Sequence, residues 1–475
     1  MSSQKNERTL GQKVMRGLKI AGIGLSVMLV LAGAAGFYLY DQYFYATPVE
    51  LYHRTWDTAQ RSIYDPKDLG DWKQWEHKFD SEIVTNEDAV KRANEMLASA
   101  KDRYTMLLNP EQADAERRQM EGKFIGIGIT FDFQVTEAGE LVLKDGKPVA
   151  TTDAAGYPMI DTVLDNSPAA KAGIQAGDAL KSVKKDGKDV DISGKPLTDV
   201  VQMLRGKEGE SVDVVVVRDG KDIPLTITRQ AVIQHSVETK MLDNGIGYLR
   251  LKGFDQYKNL DEVIEGMKKL DDAKGIIFDL RGNPGGLVPN AISISSLFVE
   301  KGTLVVIKHR ISGDPANPQY KTVTYRVEGD KLITETSRTD REGVKTDESA
   351  RAPYMLRGRP VVILTDGGTA SASEMTTGAL RDNDVAEVLG ERSVGKGIGQ
   401  SVMPFANGTI LHITSLRYFT PSGKWLGDGG NTIKDGGIEP DHKVKANKKR
   451  FKHGSKDDNQ LEAAVELMGR KLEQR

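Results

Sequence analysis

The apolar run Val361-Val-Ile-Leu364 leads into the small-residue segment Thr369-Ala-Ser-Ala-Ser-Glu374, and this succession constrains the chain more than any other stretch. The run reads as a buried strand, and Ser373–Ala379 is small and helix-compatible, so Ser371 is expected where strand turns into helix. Backbone N–H groups at a helix start have no intrahelical partner and are free to hold a developing oxyanion. Lys396 follows 25 positions after Ser371, in Val394-Gly-Lys-Gly-Ile-Gly-Gln400. A serine hydroxyl is a poor nucleophile until a neighbour takes its proton. A lysine amine does this only when neutral; its free pKa is near ~10.4, and burial in an apolar site lowers it. Gly395, Gly397 and Gly399 leave room for close backbone approach around Lys396, and Gln400 is suited to hold the amine by a hydrogen bond. Taken singly, the small-residue run also suits a helix cap, and Gly-Lys-Gly a surface turn. Together they point to a serine–lysine pair that cuts acyl bonds, peptide bonds above all.

Other strand and helix signals set the frame. Gly247–Leu251 reads as a strand, and so does Gly275–Leu280, which ends in the turn Asp279-Leu-Arg-Gly-Asn-Pro-Gly-Gly286. Ala291–Val299 reads as a helix, Leu304–Arg310 and Leu411–Phe419 as strands, and Asp457–Lys471 as a closing helix. Alternation of this kind predicts an α/β body with a mixed, partly parallel sheet. Leu51–Met120 has helical apolar spacing, as in Glu87–Ala100, and reads as a helical cap with Trp56, Trp72 and Trp75 in its core.

At 475 residues the chain is long enough for two or three domains. Its 66 basic and 68 acidic side chains give a net charge of −2, so no field favours nucleic acid as a partner. Without cysteine, disulfides and thiolate chemistry are excluded. The seven histidines form no His-Glu-x-x-His pattern, which speaks against a zinc peptidase, and no metal or cofactor is implied.

Met1–Lys19 carries five basic residues and one acidic one, and Ile20–Tyr40 then has no charge over 21 residues. As a helix that stretch is about 31 Å long, enough to cross a bilayer. Tyr38, Tyr40, Tyr43, Phe44 and Tyr45 form an aromatic belt at its far end. The positive side stays in the cytoplasm, which sends the remainder outward. Ala32-Gly-Ala34 resembles a signal-peptidase site, but the apolar stretch runs past it, which favours an uncleaved anchor.

The apolar run Phe124-Ile-Gly-Ile-Gly-Ile129 by itself reads as a glycine-kinked strand. It is followed by Asn166-Ser-Pro-Ala-Ala-Lys-Ala-Gly173, Gly177-Asp178, Leu204-Arg-Gly-Lys207 and the apolar strand Ser211–Arg218. The hydrophilic insert Gln134–Tyr157 reads as a solvated hairpin.

With these motifs the chain resembles the carboxyl-terminal processing proteases, serine–lysine peptidases that carry a PDZ domain. The likeness runs from about residue 45 to 470 and includes Asp102-Arg-Tyr-Thr105, Thr420-Pro-Ser-Gly423 and Gly437-Ile-Glu-Pro-Asp441. It implies Ser371 as nucleophile, Lys396 as general base and Gln400 as third member of the triad. The oxyanion hole it implies is Ala372 N–H with one from Gly285 or Gly286. Phe124, Ile125, Gly126, Ile127, Gly128 and Ile129 would bind the peptide, and Arg205 would couple the PDZ domain to the active site. The organisation it predicts is a tail and anchor over 1–45, a helical cap over 46–118, a PDZ-like domain over 119–232 and a protease core over 233–475. Substrates would be proteins or peptides with apolar carboxyl termini, cleaved outside the cytoplasm at the periplasmic or outer cell surface. The resemblance also admits an adaptor protein, a homo-oligomer and a PDZ-gated resting form. The stretch Ser312–Ala352 departs from the family pattern in its length and charge; it reads by default as a solvated extension, with a surface hairpin, a regulatory contact or an adaptor site as alternatives. Three rival readings remain: a catalytically silent PDZ scaffold of the cell envelope, an acyl-transfer enzyme or ester hydrolase using the same pair, and a purely structural anchor of the cell envelope.

Overall fold

The computed structural model describes residues 47–131, 143–144, 147–185, 187–233, 235–311, 314–405, 407–427, 436–447, 453–455 and 457–474. The expected anchor, Ile20–Tyr40, lies outside the described residues, as does part of the insert Gln134–Tyr157, within which Leu143–Lys144 pairs antiparallel with Lys147–Pro148. Among the described residues no helix is long and apolar enough to cross a membrane. The chain divides into two compact units. One takes in the chain up to Ala113 with Arg310–Gln319 and Gln400–Ser415; the other holds Asp114–His309, Tyr320–Gly399 and Leu416–Arg475.

The first unit is built on two helices. Helix α1 (Pro48–Ser62) starts at a capping box in which Thr47 and Glu50 satisfy each other's backbone N–H, with Pro48 at the first helical position. Helix α2 (Asn86–Leu97) starts in the same way at Thr85 and Asp88. Leu51, Tyr52, Ala59, Met96 and Leu97 pack with Trp72, and the indole N–H groups of Trp56 and Trp72 each bond the other's carbonyl, at 3.0 and 3.1 Å. Strand β1 (Met106–Leu108) pairs antiparallel with Ile410–His412, so Leu411 and Ile413 complete this core from far along the chain. The helical cap expected over 46–118 is thus finished by residues that local periodicity assigns elsewhere.

In the second unit, the PDZ-like part opens with β2 (Lys123–Gly126), which pairs with Gln230–Ile233 and so closes the module's entry against its exit. Strand β3 (Ile129–Phe131) pairs with β4 (Ile160–Val163). A four-stranded antiparallel sheet follows, in the order Lys221–Thr228, Ser211–Arg218, Ala179–Lys185, Lys188–Asp191. Helix α3 (Leu197–Leu204) buries Leu197, Val200 and Leu204 in the same core as Ile127, Phe131 and Val214. Its last carbonyls are met by the buried Arg229, whose Nε donates to Leu204 O at 2.8 Å and Nη2 to Met203 O at 3.1 Å.

The body of this unit is a six-stranded sheet. From Val237–Met241 it runs through β5 (Ile246–Leu251), β6 (Gly275–Asp279), β7 (Val361–Thr365) and β8 (Ala386–Gly390) to His442–Lys443. The first pairing is antiparallel and the remaining ones parallel. Alternate side chains enter two different cores, because strand neighbours point to opposite faces. Ile276, Phe278, Val361 and Ile363 pack with α4 (Val288–Phe298) and α5 (Ala372–Asp382); Ile277, Val362 and Leu364 pack with α6 (Asn459–Glu473). A parallel strand covered on both faces must be apolar throughout, which is why Val361–Leu364 shows no alternation.

The charged stretch expected as a solvated extension is an antiparallel ladder of Gln319–Glu328, Lys331–Arg338 and Arg341–Ala350. Val323 and Val327 are buried on one face and Ile333, paired with Arg326, on the other, whereas the outer strand is exposed at all of its positions. Charges along such an edge discourage pairing with other chains.

In the neighbouring strand Lys301–Ile311, burial and the like charge of Lys321 push the His309 imidazole down from 6.5 to about 4. The folded value lies below the unfolded one, so between these pH values the unfolded chain binds more protons. Stability is therefore unaffected above the unfolded value and is lost as pH falls towards the folded one. A difference of that size is worth up to about 3 kcal/mol. Urea unfolding of His309→Gln followed from neutral to acid pH should show a shallower acid loss than wild type, by about that amount.

Candidate active site

Strand β7 delivers the chain to a tight loop that is tied to the turn after β6. Asp366 Oδ1 accepts from Gly282 N–H at 2.8 Å and Gly368 N–H at 2.9 Å, and Ala370 N–H donates to Asn283 O at 3.0 Å. Ser371 then caps α5 with φ 56° and ψ −117°, a region that costs a non-glycine residue about 1–3 kcal/mol. It is held there from both sides. Its N–H donates to Glu374 Oε2 at 2.8 Å, and its carbonyl accepts from the Tyr418 hydroxyl at 2.9 Å. The expectation that Ser371 sits where strand gives way to helix describes its position well.

Lys396 is held by the same two groups. Its N–H donates to the same oxygen, Glu374 Oε2, at 2.8 Å, and its carbonyl accepts from the same Tyr418 hydroxyl. The backbone nitrogens of Ser371 and Lys396 therefore lie within twice that distance of each other. The other Glu374 oxygen takes Gly395 N–H at 2.7 Å and Ser393 Oγ at 2.5 Å. Gly395 has φ +86°, and a Cβ there would come within 2.6 Å of Gly437 N and 2.8 Å of Leu426 O. Only glycine lets the lysine loop lie this close to its neighbours.

Glu374 and Tyr418 are both fully inside the fold. Burial pushes the Glu374 carboxyl above its ordinary range, although four donated hydrogen bonds pull the other way. Burial, with the Glu374 charge behind it, pushes Tyr418 well above its ordinary range, so the phenol keeps its proton and donates it.

The glycine turn reaches the same place. A Cβ on Gly285 would lie 2.8 Å from Ala372 N and 2.7 Å from Ala370 O, so no side chain fits there. The Gly285 N–H donates to Asn283 Oδ1 at 2.9 Å. Gly286 forms a parallel bridge with Phe254, through Phe254 N–H to Gly285 O and Leu287 N–H to Phe254 O, both 2.8 Å. That pattern leaves the N–H of Gly286 on the side away from Phe254. Ala372 is the first residue of α5, so its N–H has no intrahelical acceptor.

Three groups of expected residues remain: Gln400, the run Phe124–Ile129 and Arg205. Gln400 belongs to the first unit, where its Nε2 donates to Thr414 Oγ1 at 3.0 Å. Phe124–Gly126 lie in β2, Ile127 and Gly128 form the link, and Ile129 opens β3, which has no second strand partner among the described residues. Ile127 O and Gly128 O accept from Ala169 N–H and Leu164 N–H, at 2.8 and 2.9 Å. Arg205 is the exposed residue that ends α3. Sequence reading gave no role to Glu374, Tyr418, Asn283 or Arg229. Glu374 had a local signal, since it stands three residues after a serine at a helix start. The others act through partners far away in sequence, which no spacing rule reveals.

Residues 245–444 match the model of peptidase family S41, and residues 159–218 that of a PDZ domain. The chain is similar to the carboxy-terminal-processing protease of Bartonella bacilliformis, 32% identical over 355 residues, covering 73% of this chain and 67% of that one. It is also similar to a probable CtpA-like serine protease of Staphylococcus haemolyticus, 32% identical over 351 residues, covering 74% of this chain and 58% of that one. The chain thus spans roughly three fifths to two thirds of the length of these relatives. Among solved structures its fold is similar to a putative S41 protease from Bacteroides fragilis, with TM-score 0.50 and 14% identity over 87% of this chain and 96% of that one.

Two substitutions probe the paired hold on Ser371 and Lys396. Tyr418→Phe removes one hydroxyl and leaves two carbonyls short of a donor, which should lower unfolding free energy by about 1–3 kcal/mol. Glu374→Gln replaces one acceptor oxygen by a donor that faces N–H or O–H groups, so it should cost more than Tyr418→Phe in the same urea titration.

Proposed function

This chain belongs to peptidase family S41, and on that footing we propose that it is a serine endopeptidase that binds the free carboxyl end of a polypeptide and cleaves it through Ser371 and Lys396. The observation that carries the reading is the shared hold of Glu374 and Tyr418 on the backbones of both residues. A scaffold that only binds peptides has no need of it.

In the proposed reaction the neutral Lys396 amine takes the Ser371 hydroxyl proton as the oxygen attacks the scissile carbonyl. The carbonyl π pair moves onto oxygen, where Ala372 N–H and, of the two glycines, Gly286 N–H hold the charge, since Gly285 N–H is already given to Asn283. The intermediate collapses, the Lys396 ammonium returns the proton to the leaving amine, and an acyl-enzyme remains. Lys396 then takes a proton from water, and the same steps in reverse order release Ser371 and a new carboxylate. Gln400 enters as the third member implied by the family pattern.

The PDZ-like part would supply selection. The open edge of β3 suits strand addition by an extended peptide, with the link Ile127-Gly128 near its carboxylate and an apolar terminal side chain towards the core. Arg205, at the end of α3, would couple occupancy to the active site. Ile20–Tyr40 would tether the chain to a membrane with the catalytic part outside the cytoplasm.

The test is cleavage of an unfolded protein with an apolar carboxyl terminus by the full-length chain in detergent, read by mass spectrometry of the products. Ser371→Ala and Lys396→Ala should each lower the rate by at least about 10³-fold, with peptide binding retained, and Gln400→Ala should lower it less. Cleavage that survives in either of the first two variants sinks the serine–lysine assignment. Peptide binding without any cleavage by wild type favours the silent scaffold.

A further inference from the structure

A cluster of chemistry-bearing side chains lies in the first unit, in a part of the chain that the proposed reaction does not use. His53 is on α1, directly after Tyr52, which is fully buried and whose hydroxyl donates to Trp75 O. The Tyr52 ring also meets the Phe79 ring edge-on at 6.0 Å. These contacts seat the turn that carries His77 and Asp80 against α1 beside His53. As a result Asp80 Oδ1 lies 2.7 Å from His53 Nε2, and Asp80 Oδ2 lies 2.9 Å from His77 Nδ1. The two imidazoles stand edge to face with centroids 4.9 Å apart. One donor atom from each of the three residues lies within 4.8 Å of the other two.

We propose that His53, His77 and Asp80 bind one divalent transition cation, zinc by the nature of the donor set, with at least one coordination position left to water. Two imidazole nitrogens and a carboxylate are the donors that zinc takes at about 2.0–2.2 Å. Donor atoms already within 4.8 Å of one another need only small side-chain rotations to reach that distance from one centre. The side chains are 34%, 67% and 37% exposed for His53, His77 and Asp80, so the cation has a path from solvent and room for water. The ammonium of Lys78 is directed elsewhere, 3.7 Å from the centroid of the Trp75 ring. Glu76 Oε1 lies 4.0 Å from His77 Nε2, the nitrogen that would not ligate, too far for a hydrogen bond but near enough to add negative charge beside the site. Because the ligands come from α1 and from the turn beyond Trp75, the bound ion would cross-link the two.

The test uses the untagged full-length chain in detergent, stripped with chelator and dialysed to equilibrium against micromolar free zinc, with metal counted per chain. A parallel sample takes cobalt and is read by its visible bands. The expected result is one zinc per chain and the bands of four-coordinate cobalt. His77→Ala, at a largely exposed position, should weaken zinc binding by at least about tenfold, and His53→Ala should do the same. His235→Ala, at another exposed histidine, should leave binding unchanged. Failure of wild type to take up zinc, or undiminished uptake by His77→Ala with its circular dichroism intact, overturns the proposal. Protease activity does not enter this readout, so the result stands apart from the fate of the serine–lysine reading.

Discussion

One buried carboxylate and one buried phenol hold the two sides of the candidate active site in a single geometry. Glu374 takes the N–H groups of Ser371 and Lys396 on one oxygen, and the Tyr418 hydroxyl serves both of their carbonyls. Ser371 occupies a backbone region that a non-glycine residue leaves unless its surroundings fix it. The lysine loop has glycines on both sides and little stiffness of its own. Each would relax alone; joined through shared partners, neither moves without the other. Hydrogen bonds this deep in the fold are strong because water does not compete for them.

A second buried network fixes the glycine turn that faces Ser371. Arg281 and Asp279 are both hidden from solvent, and Arg281 spans Asp279 and Asp458, with Gln460 beside it. Tyr248 donates to Asp279 at 2.6 Å. Burial pushes Asp279 up, but the Arg281 hydrogen bonds and charge outweigh it and hold the carboxyl below the usual range. Asp458 also caps α6 through Leu461 N–H. The turn from Arg281 to Gly286 is therefore anchored to the last helix, and Asn283 carries that order onward to Ala370 and Ser373. Breaking such a network on one side leaves an uncompensated charge inside the fold, at a cost of about 3–5 kcal/mol.

How far the residues could be read in advance depended on how local their partners are. The strand Val361–Leu364, the helix after Ser371 and the glycine turn after Asp279 were all legible, because unbroken apolar runs, small residues and glycine pairs act over a few positions. The cap was legible as helices, yet its core was not, because Leu411 and Ile413 arrive from a strand hundreds of residues later. The charged stretch 312–352 reads as a solvated extension or a surface hairpin, and its strands form a ladder that buries few residues, Val323 and Val327 on one face and Ile333 on the other. Composition favours solvent there; only pairing with neighbouring strands makes it a ladder. Gly285 and Gly286 looked equivalent in sequence, and Asn283 separates them by engaging the first.

By itself the sequence determined which chemistry was on offer: a serine at a strand-to-helix junction, a lysine between glycines, an apolar loop in a PDZ-like pattern, and no thiol. Those are properties of residue type and short spacing, and they survive without knowledge of the fold. Tertiary structure decided how these pieces are held. Glu374 and Tyr418 bracket Ser371 and Lys396, Asn283 takes one glycine N–H, and two histidines meet one aspartate on the helical cap. Each of these depends on which distant backbone groups are left unpaired once the sheets form. That is settled by packing across the whole chain, which no window of neighbouring residues contains.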